Sequence, residues 1–139
     1  MINHKLVRKL YPLPRMAVIK QQLEDFQYAT SLDLNMEYYT IRLSPASQDM
    51  TTIVTEFVKF RYNRLPMGMC SLGDIFQDKV NKLLGDVEAV KTYIDDILVL
   101  SKESFYKHTD KLRIIYGTLH ATYLKLNALK CSFVLNYIH

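Results

Sequence analysis

The chain has 139 residues, 49% of them hydrophobic and 23% charged, so it can bury one core, and its scarce glycine and proline exclude a disordered or fibrous chain. A formal charge of +4 permits a polyanionic partner without identifying one. The two cysteines and four histidines have no zinc-ligand spacing, and Asp95 and Asp96 split the richest apolar run, so we expect an intracellular protein, cytoplasmic or nuclear, without membrane insertion.

The first third of the chain predicts an arm, a helix and a strand. Two prolines hold residues 10–14 extended. Residues 16–26 favour a short helix, and residues 28–34 favour a strand that runs into a turn or helix at residues 35–39. A charged residue, Asp33, interrupts that strand.

The middle of the chain is expected to form a hairpin or meander followed by an amphipathic helix. Residues 51–57 and 59–62 are rich in β-branched and aromatic side chains, which favour strands. Apolar residues then recur at helical spacing from Leu72 to Leu84, and Gly85 follows in a C-cap position.

The last third predicts a second hairpin, a second helix and a final strand. Residues 87–93 and 97–100 form two strand-like runs joined through Ile94, Asp95 and Asp96. An amphipathic helix follows from Ser104, with an apolar face that continues to Leu126, and residues 131–135 begin a strand. Because helices mix with an apparently antiparallel sheet, the order predicts an α+β fold in one structural unit.

Two adjacent carboxylates stand where the neighbouring residues favour burial. Asp95 and Asp96 interrupt an isoleucine-, leucine- and valine-rich segment, and a buried unpaired charge is costly unless a counter-charge or metal accompanies it. The alternative is an ordinary exposed hairpin turn, a position that Asp fills well. The segment alone leaves both interpretations open.

A third carboxylate favours the metal interpretation. Asp33 also lies between apolar residues at the end of a predicted strand, so Asp33, Asp95 and Asp96 could converge on adjacent strands. Carboxylate oxygens suit Mg²⁺, and two such ions about 4 Å apart would stabilise the attacking and leaving oxygens of a phosphoryl transfer. We therefore expect two Mg²⁺ ions, with Mn²⁺ as a possible substitute.

Five ordered segments resemble one enzyme family. Tyr93 to Asp96 resembles the YxDD signature of reverse transcriptases, and the matching segments are VRKLYPLPRM, SLDLNMEYYTI, YNRLPMGMCSLGDIFQ, YIDDILVLSK and LKLNALKCSF. Their order resembles the reverse transcriptase domain of gypsy-type LTR retrotransposons over nearly the whole chain. This resemblance implies a polymerase palm, with an antiparallel sheet packed on two amphipathic helices, plus part of the fingers.

The resemblance also implies a domain content and a reaction. Residues 1–139 would be a partial fingers and palm domain, without the thumb, connection and ribonuclease H regions. The implied function is an RNA-directed DNA polymerase core that transfers nucleotides onto a primer 3′ hydroxyl, with little activity as an isolated chain. The implied partners are an RNA or DNA template with primer, deoxynucleoside triphosphates and the missing parts of a polyprotein.

Residue roles follow from the same resemblance. The catalytic and metal-binding residues would be Asp33, Asp95 and Asp96. The nucleotide-binding residues would be Tyr38, Met67, Gly68 and Lys130. The template and primer residues would be Tyr93, Arg64, Leu65, Pro66 and Gln77. Ordinary core packing is the alternative for Tyr38, and a solvated cation is the alternative for Lys130.

Five positions depart from the family pattern. Glycine or a small residue is usual at four of them, Glu37, Val58, Leu72 and Tyr123, and proline is usual at the fifth, Gly73. Because glycine serves special backbone torsions, the bulky residues are expected to strain the local structure. They motivate an alternative function, a non-catalytic retrotransposon-derived remnant that binds nucleic acid or protein.

Overall fold

A computed structural model describes residues 10–11, 26–35 and 37–135. The predicted arm at residues 10–14 and the predicted helix at residues 16–26 lie almost wholly outside this part. The described elements, in chain order, are β1 (Tyr28–Asn35), a 3-10 helix (Glu37–Thr40), α1 (Pro45–Met50), β2 (Thr52–Val54), β3 (Lys59–Arg61), α2 (Leu72–Leu84), β4 (Val90–Tyr93), β5 (Asp96–Ser101), α3 (Phe105–Ala121), β6 (Lys125–Leu126) and β7 (Ser132–Leu135).

The main sheet is built around β1. Strand β5 pairs along one edge of β1, and β4 pairs with β5 on the outside. The other edge of β1 is shared by β7, which pairs near Ala29 and Ser31, and by β6, which pairs with Leu34 and Asn35. Every one of these pairings is antiparallel, so the α+β prediction is confirmed.

The core lies between this sheet and helices α2 and α3. Alternation along β1 sends Leu32 and Leu34 inward and leaves Asp33 between them on the other face. Burying one such side chain contributes about 1.5–3 kcal/mol. The core residues from both layers are Leu32, Leu34, Ile97 and Val99 from the sheet, Phe76, Val80 and Leu84 from α2, and Leu112, Ile115 and Leu119 from α3.

A buried histidine ties α3 to the sheet. His108 Nε2 lies 2.8 Å from Thr30 Oγ1 on β1, and Nδ1 lies 2.9 Å from Ser101 Oγ at the end of β5. The Val134 amide donates to the same Thr30 hydroxyl at 3.2 Å, which adds β7 to the network. Burial, and then the charge of Lys111, lower the pKa of His108.

A separate two-stranded sheet confirms the first hairpin, although its strands are shorter than predicted. β2 pairs antiparallel with β3, from Thr52 opposite Arg61 to Val54 opposite Lys59. The Thr55 amide and hydroxyl both donate to the Val58 carbonyl, at 3.0 and 2.7 Å, and close the turn. These local bonds end the strands before residue 57.

Two predicted boundaries are wrong. The second long helix ends at Ala121 rather than continuing to Leu126, because Tyr123 adopts a φ of +59° that stops the helix. The strand predicted from residue 87 begins at Val90, after Ala89 at a φ of +59°. Helical and strand periodicity in the sequence continue past both left-handed residues, so the pattern does not reveal them.

The helices of the described ranges are all too short or too polar to cross a membrane.

Candidate active site

The β1–β5 pairing brings the predicted carboxylates together. Asp33, third from the end of β1, lies directly opposite Asp96, the first residue of β5. The Leu34 amide donates to the Asp95 carbonyl at 2.8 Å, which fixes the neighbouring carboxylate residue to the same edge. Side chains opposite each other in an antiparallel pair have Cβ atoms about 5 Å apart, so one cation can reach both.

The turn that carries two of these carboxylates has a strained backbone. Tyr93 pairs with Asp96, and only Ile94 and Asp95 connect them. Ile94 has a φ of +54°, a left-handed conformation that is uncommon for a β-branched residue. Local strain of this kind persists only where surrounding contacts impose it.

Gln77 on α2 supplies the contact that holds this turn. Its Oε1 accepts a hydrogen bond from the Ile94 amide at 2.5 Å, and its Nε2 lies 3.1 Å from the Thr92 carbonyl oxygen. Asn81, one helical turn later, bonds to both Gln77 and the Thr92 hydroxyl. Gln77 is fully buried, so the structure places this predicted template or primer residue beneath the hairpin as its support.

The carboxylates repel one another. Burial, and then the charges of Asp95 and Asp33, raise the pKa of Asp96, while Lys130 lowers it. Lys130 Nζ lies 3.5 Å from Asp33 Oδ2, and the Asp33 side chain is only 14% exposed. Lys130, on the connection between β6 and β7, therefore places a positive charge beside the carboxylates. This residue, predicted to bind nucleotide, forms an ion pair with Asp33 in the structure.

The donor set fits a divalent cation in its chemistry. Three carboxylates without a histidine suit hard, oxygen-seeking ions such as Mg²⁺. Within the described residues, however, no group of three histidine, cysteine, aspartate or glutamate side chains already stands in a metal-holding arrangement. The backbone places Asp33 and Asp96 opposite each other, and the ammonium of Lys130 neutralises part of their charge.

The remaining nucleotide-binding candidates lie in two places. Tyr38 packs edge-on against Phe76, with ring centroids 5.6 Å apart, so its observed contact is the core packing given as its alternative. Met67 is exposed, and Gly68 has a φ of +91° on the connection between β3 and α2. The positive φ explains why glycine stands at that position.

The residues predicted to contact template and primer differ in how deeply they are buried. Leu65 and Pro66 are buried, and the Leu65 amide donates to the Ile41 carbonyl at 2.9 Å, so both act as packing residues here. Arg64 is exposed, and its Nη1 donates to the carbonyls of Tyr39 and Thr40, at 3.1 and 3.2 Å. Tyr93 is half-buried beside the carboxylates at the end of β4.

Sequence reasoning missed the polar residues under the site. Asn81 and Thr92 complete the hydrogen bonds of Gln77, and Cys131 Sγ accepts from the Asp33 amide at 3.4 Å. The signal available in the sequence was a pair of amide residues, Gln77 and Asn81, spaced four apart on the predicted apolar face of a helix. Buried amides on such a face require partners.

The departures from the family pattern have unequal consequences. Tyr123 takes a left-handed φ of +59°, so the expected strain is present at this position. Val58 lies in an exposed turn and does not have a positive φ, so the backbone strain expected there is absent. Leu72 begins α2, and a Cβ at Gly73 would lie 4.0 Å from Ile94 Cδ1, an ordinary contact distance. The Glu37 side chain lies outside the described part.

Comparisons with known proteins agree on one family. The profile described as reverse transcriptase (RNA-dependent DNA polymerase) matches residues 3–138. The retrovirus-related Pol polyprotein from transposon 412 of Drosophila melanogaster is 32% identical over 140 residues, which cover 99% of this chain and 11% of that polyprotein. An RNA-directed DNA polymerase homolog of Oenothera berteroana is 26% identical over 113 residues, covering 78% of this chain and 80% of its own length.

Solved structures share the fold. The foamy viral protease-reverse transcriptase dRH in complex with ds DNA superposes with a TM-score of 0.88 at 20% identity, over 99% of this chain and 24% of that one. The foamy viral protease-reverse transcriptase in complex with an RNA/DNA hybrid gives a TM-score of 0.84 at 21% identity, over 95% of this chain and 18% of that one. The chain spans about a tenth of the length of the transposon polyproteins that it matches.

Proposed function

This chain belongs to the reverse transcriptase (RNA-dependent DNA polymerase) family, and on that premise we propose that it forms the palm and part of the fingers of an RNA-directed DNA polymerase. The reaction is nucleotidyl transfer onto a primer 3′ hydroxyl. The proposed partners are an RNA or DNA template with its primer and deoxynucleoside triphosphates, with the rest of the enzyme supplied by a longer polyprotein.

One observation carries the proposal: Asp33 and Asp96 lie opposite each other on β1 and β5, with Asp95 in the adjoining turn. Burial, and then repulsion from Asp95 and Asp33, raise the pKa of Asp96, as expected where carboxylates are gathered at one site. A purely structural hairpin turn does not require a third carboxylate on the neighbouring strand.

The three carboxylates would hold the metal ions. When bound, Mg²⁺ stabilises charge on the attacking and leaving oxygens of the transferred phosphate. Asp33, Asp95 and Asp96 supply the oxygen donors, and Gln77 keeps the Asp95–Asp96 turn in position through the Ile94 amide. Lys130 is exposed apart from its contact with Asp33, so its ammonium would be free to turn from Asp33 toward nucleotide phosphates.

The first test is metal binding by the carboxylate cluster. Mg²⁺ or Mn²⁺ is titrated by calorimetry into the wild-type chain and into Asp95→Asn/Asp96→Asn, with primer-template and nucleotide present. We expect the double variant to lose at least about tenfold in metal affinity, which is about 1.4 kcal/mol. The reason is that amides are weaker ligands than carboxylates for hard cations.

The matched control is Asp86→Asn/Glu88→Gln, which removes two exposed negative charges on the α2–β4 connection. This control should leave metal affinity within twofold of wild type. Equal metal binding by the wild type and the Asp95→Asn/Asp96→Asn variant, in samples that remain folded, would contradict the proposed site. That outcome would favour the non-catalytic binding module instead.

A further inference from the structure

A basic cleft lies at the same end of β1 as the carboxylates, just beyond Asp33. Its volume is about 540 Å³, within the range of small-molecule pockets. Three cationic side chains line it, together with two tyrosines and an amide; these residues are Arg42, Arg64, Lys125, Tyr39, Tyr123 and Asn35. No described lining residue is acidic.

Backbone pairing brings the three cationic residues of this cleft close together. Arg42 and Arg64 face each other across an antiparallel bridge, and Lys125 pairs with Asn35 at the end of β1. Like charges directly opposite each other on paired strands are destabilising. An anion bound between them would remove this repulsion.

No described carboxylate neutralises these three residues. Other exposed arginines of the described chain have such partners: Arg61 lies 2.9 Å from Asp49, and Arg113 lies 2.9 Å from Asp110. Arg64 is instead oriented by two backbone carbonyls, those of Tyr39 and Thr40, which accept from its Nη1 alone. Since a guanidinium has five N–H donors, donors remain to bind a further acceptor.

The cleft adjoins the carboxylate cluster but shares no lining residue with it. Asp33, Asp95 and Asp96 do not line it, and it begins at Asn35, two residues after Asp33 on β1. The exposed rings of Tyr39 and Tyr123 stand beside the cations, and such rings can stack on a base. Its walls therefore combine groups that bind phosphate with groups that can accept a nucleobase.

We propose that this cleft binds a compact polyphosphate, either inorganic pyrophosphate or the phosphate tail of a nucleotide, through Arg42, Arg64 and Lys125. Arginine favours bidentate contact with phosphate oxygens, and two arginines across a bridge can hold neighbouring phosphates. The volume of the cleft, about 540 Å³, suits a small ligand. Binding here does not need a metal or the polymerase reaction.

The test is calorimetric titration of pyrophosphate into the full chain in EDTA at low salt. Arg42→Gln and Lys125→Gln should each weaken binding at least about fivefold, because each removes one cation from the cleft. The control variants, Arg113→Gln and Lys102→Gln, remove the same charge from α3 and from the opposite end of the sheet, and should change affinity less than twofold. All four replaced side chains are exposed, so the fold should survive.

Further titrations separate this site from the proposed active site and identify the source of the phosphate. Asp95→Asn/Asp96→Asn should bind pyrophosphate like wild type, even if its metal binding is lost. Tighter binding of dTTP than of tripolyphosphate would assign the site to a nucleotide, whereas equal binding would assign it to free polyphosphate. The proposal is overturned by equal losses in cleft and control variants, or by an oligonucleotide without terminal phosphate binding as tightly as pyrophosphate.

Discussion

Lys130 and Asp33 show how single residues balance the charge of the carboxylate cluster. Their 3.5 Å contact joins an exposed ammonium to a nearly buried carboxylate, and the same lysine lowers the pKa of Asp96 while Asp95 and Asp33 raise it. An exposed ion pair contributes at most about 1 kcal/mol. Lys130 therefore compensates the repulsion only in part, and the cluster retains a net negative charge that attracts cations.

Backbone strain at Tyr123 gives a residue-scale prediction. Tyr123→Gly should stabilise the chain by about 0.5–1 kcal/mol, because an L-residue in the left-handed region costs about 1–2 kcal/mol and glycine does not. The side chain is 85% exposed, so little packing is lost. Urea unfolding followed by circular dichroism measures the change.

Tyr106→Gly is the matched control for that experiment. Tyr106 is 81% exposed but lies within α3, where glycine lowers helix stability, so this variant should be less stable than wild type. A loss of stability in Tyr123→Gly equal to that in Tyr106→Gly would show that the strain argument is wrong.

At the scale of elements, His108 connects α3 to β1 and β5 through two hydroxyl groups. Because burial lowers the pKa of His108, the neutral ring belongs to the folded state, and the unfolded state binds its proton more readily. The unfolded state therefore gains protons first as pH falls. The stability contribution is complete above the ordinary pKa of 6.5 and is lost as pH falls below it.

The corresponding prediction concerns the pH dependence of unfolding. The wild-type free energy of unfolding should fall between pH 7 and pH 5, and His108→Gln should flatten this dependence while lowering stability at pH 8 by about 1–3 kcal/mol. His120→Gln, which replaces an exposed histidine on the same helix, should keep the wild-type pH profile. A His108→Gln profile as steep as that of wild type would rule out this histidine as the source.

At the scale of the whole molecule, one core joins the sheet to α2 and α3. Residues of β1, β5 and both helices belong to a single cluster, and the hairpin that bears Asp95 and Asp96 is tied to it through Gln77. The candidate active site therefore depends on the same packing that stabilises the fold. Loss of that packing should remove the site and the fold together.

Leu32→Ala tests this dependence. Leu32 is fully buried at the centre of β1, so its truncation should lower the free energy of unfolding by about 2–5 kcal/mol. Leu129→Ala truncates a leucine that is 98% exposed and should change stability by less than about 0.5 kcal/mol. Urea titrations followed by far-ultraviolet circular dichroism and by tyrosine fluorescence should coincide for each protein; separate transitions would contradict a single core.

The sequence by itself determined the two long helices, both hairpins and the carboxylates, but it did not predict α1 or β6. The apolar spacing of residues 72–84 predicted α2, the β-branched runs predicted both hairpins, and Asp33, Asp95 and Asp96 stood out because their neighbours are apolar. These features can be predicted because hydrophobic periodicity and flanking residues are properties of short, continuous segments of sequence. The family resemblance rested on the same ordered segments, and the match of residues 3–138 agrees with it.

Only the tertiary structure decided which distant residues meet. The register that sets Asp33 opposite Asp96 joins residues more than sixty positions apart in the chain. The convergence of Arg42, Arg64 and Lys125 on one cleft likewise depends on contacts between distant segments. The left-handed φ of Ile94 was equally hidden, because Ile94 is not a glycine and no periodic pattern marks it, whereas the strain at Tyr123 was expected from the family resemblance. Contacts between distant segments impose such conformations, and the hydrophobic pattern of the sequence does not show which distant segments make contact.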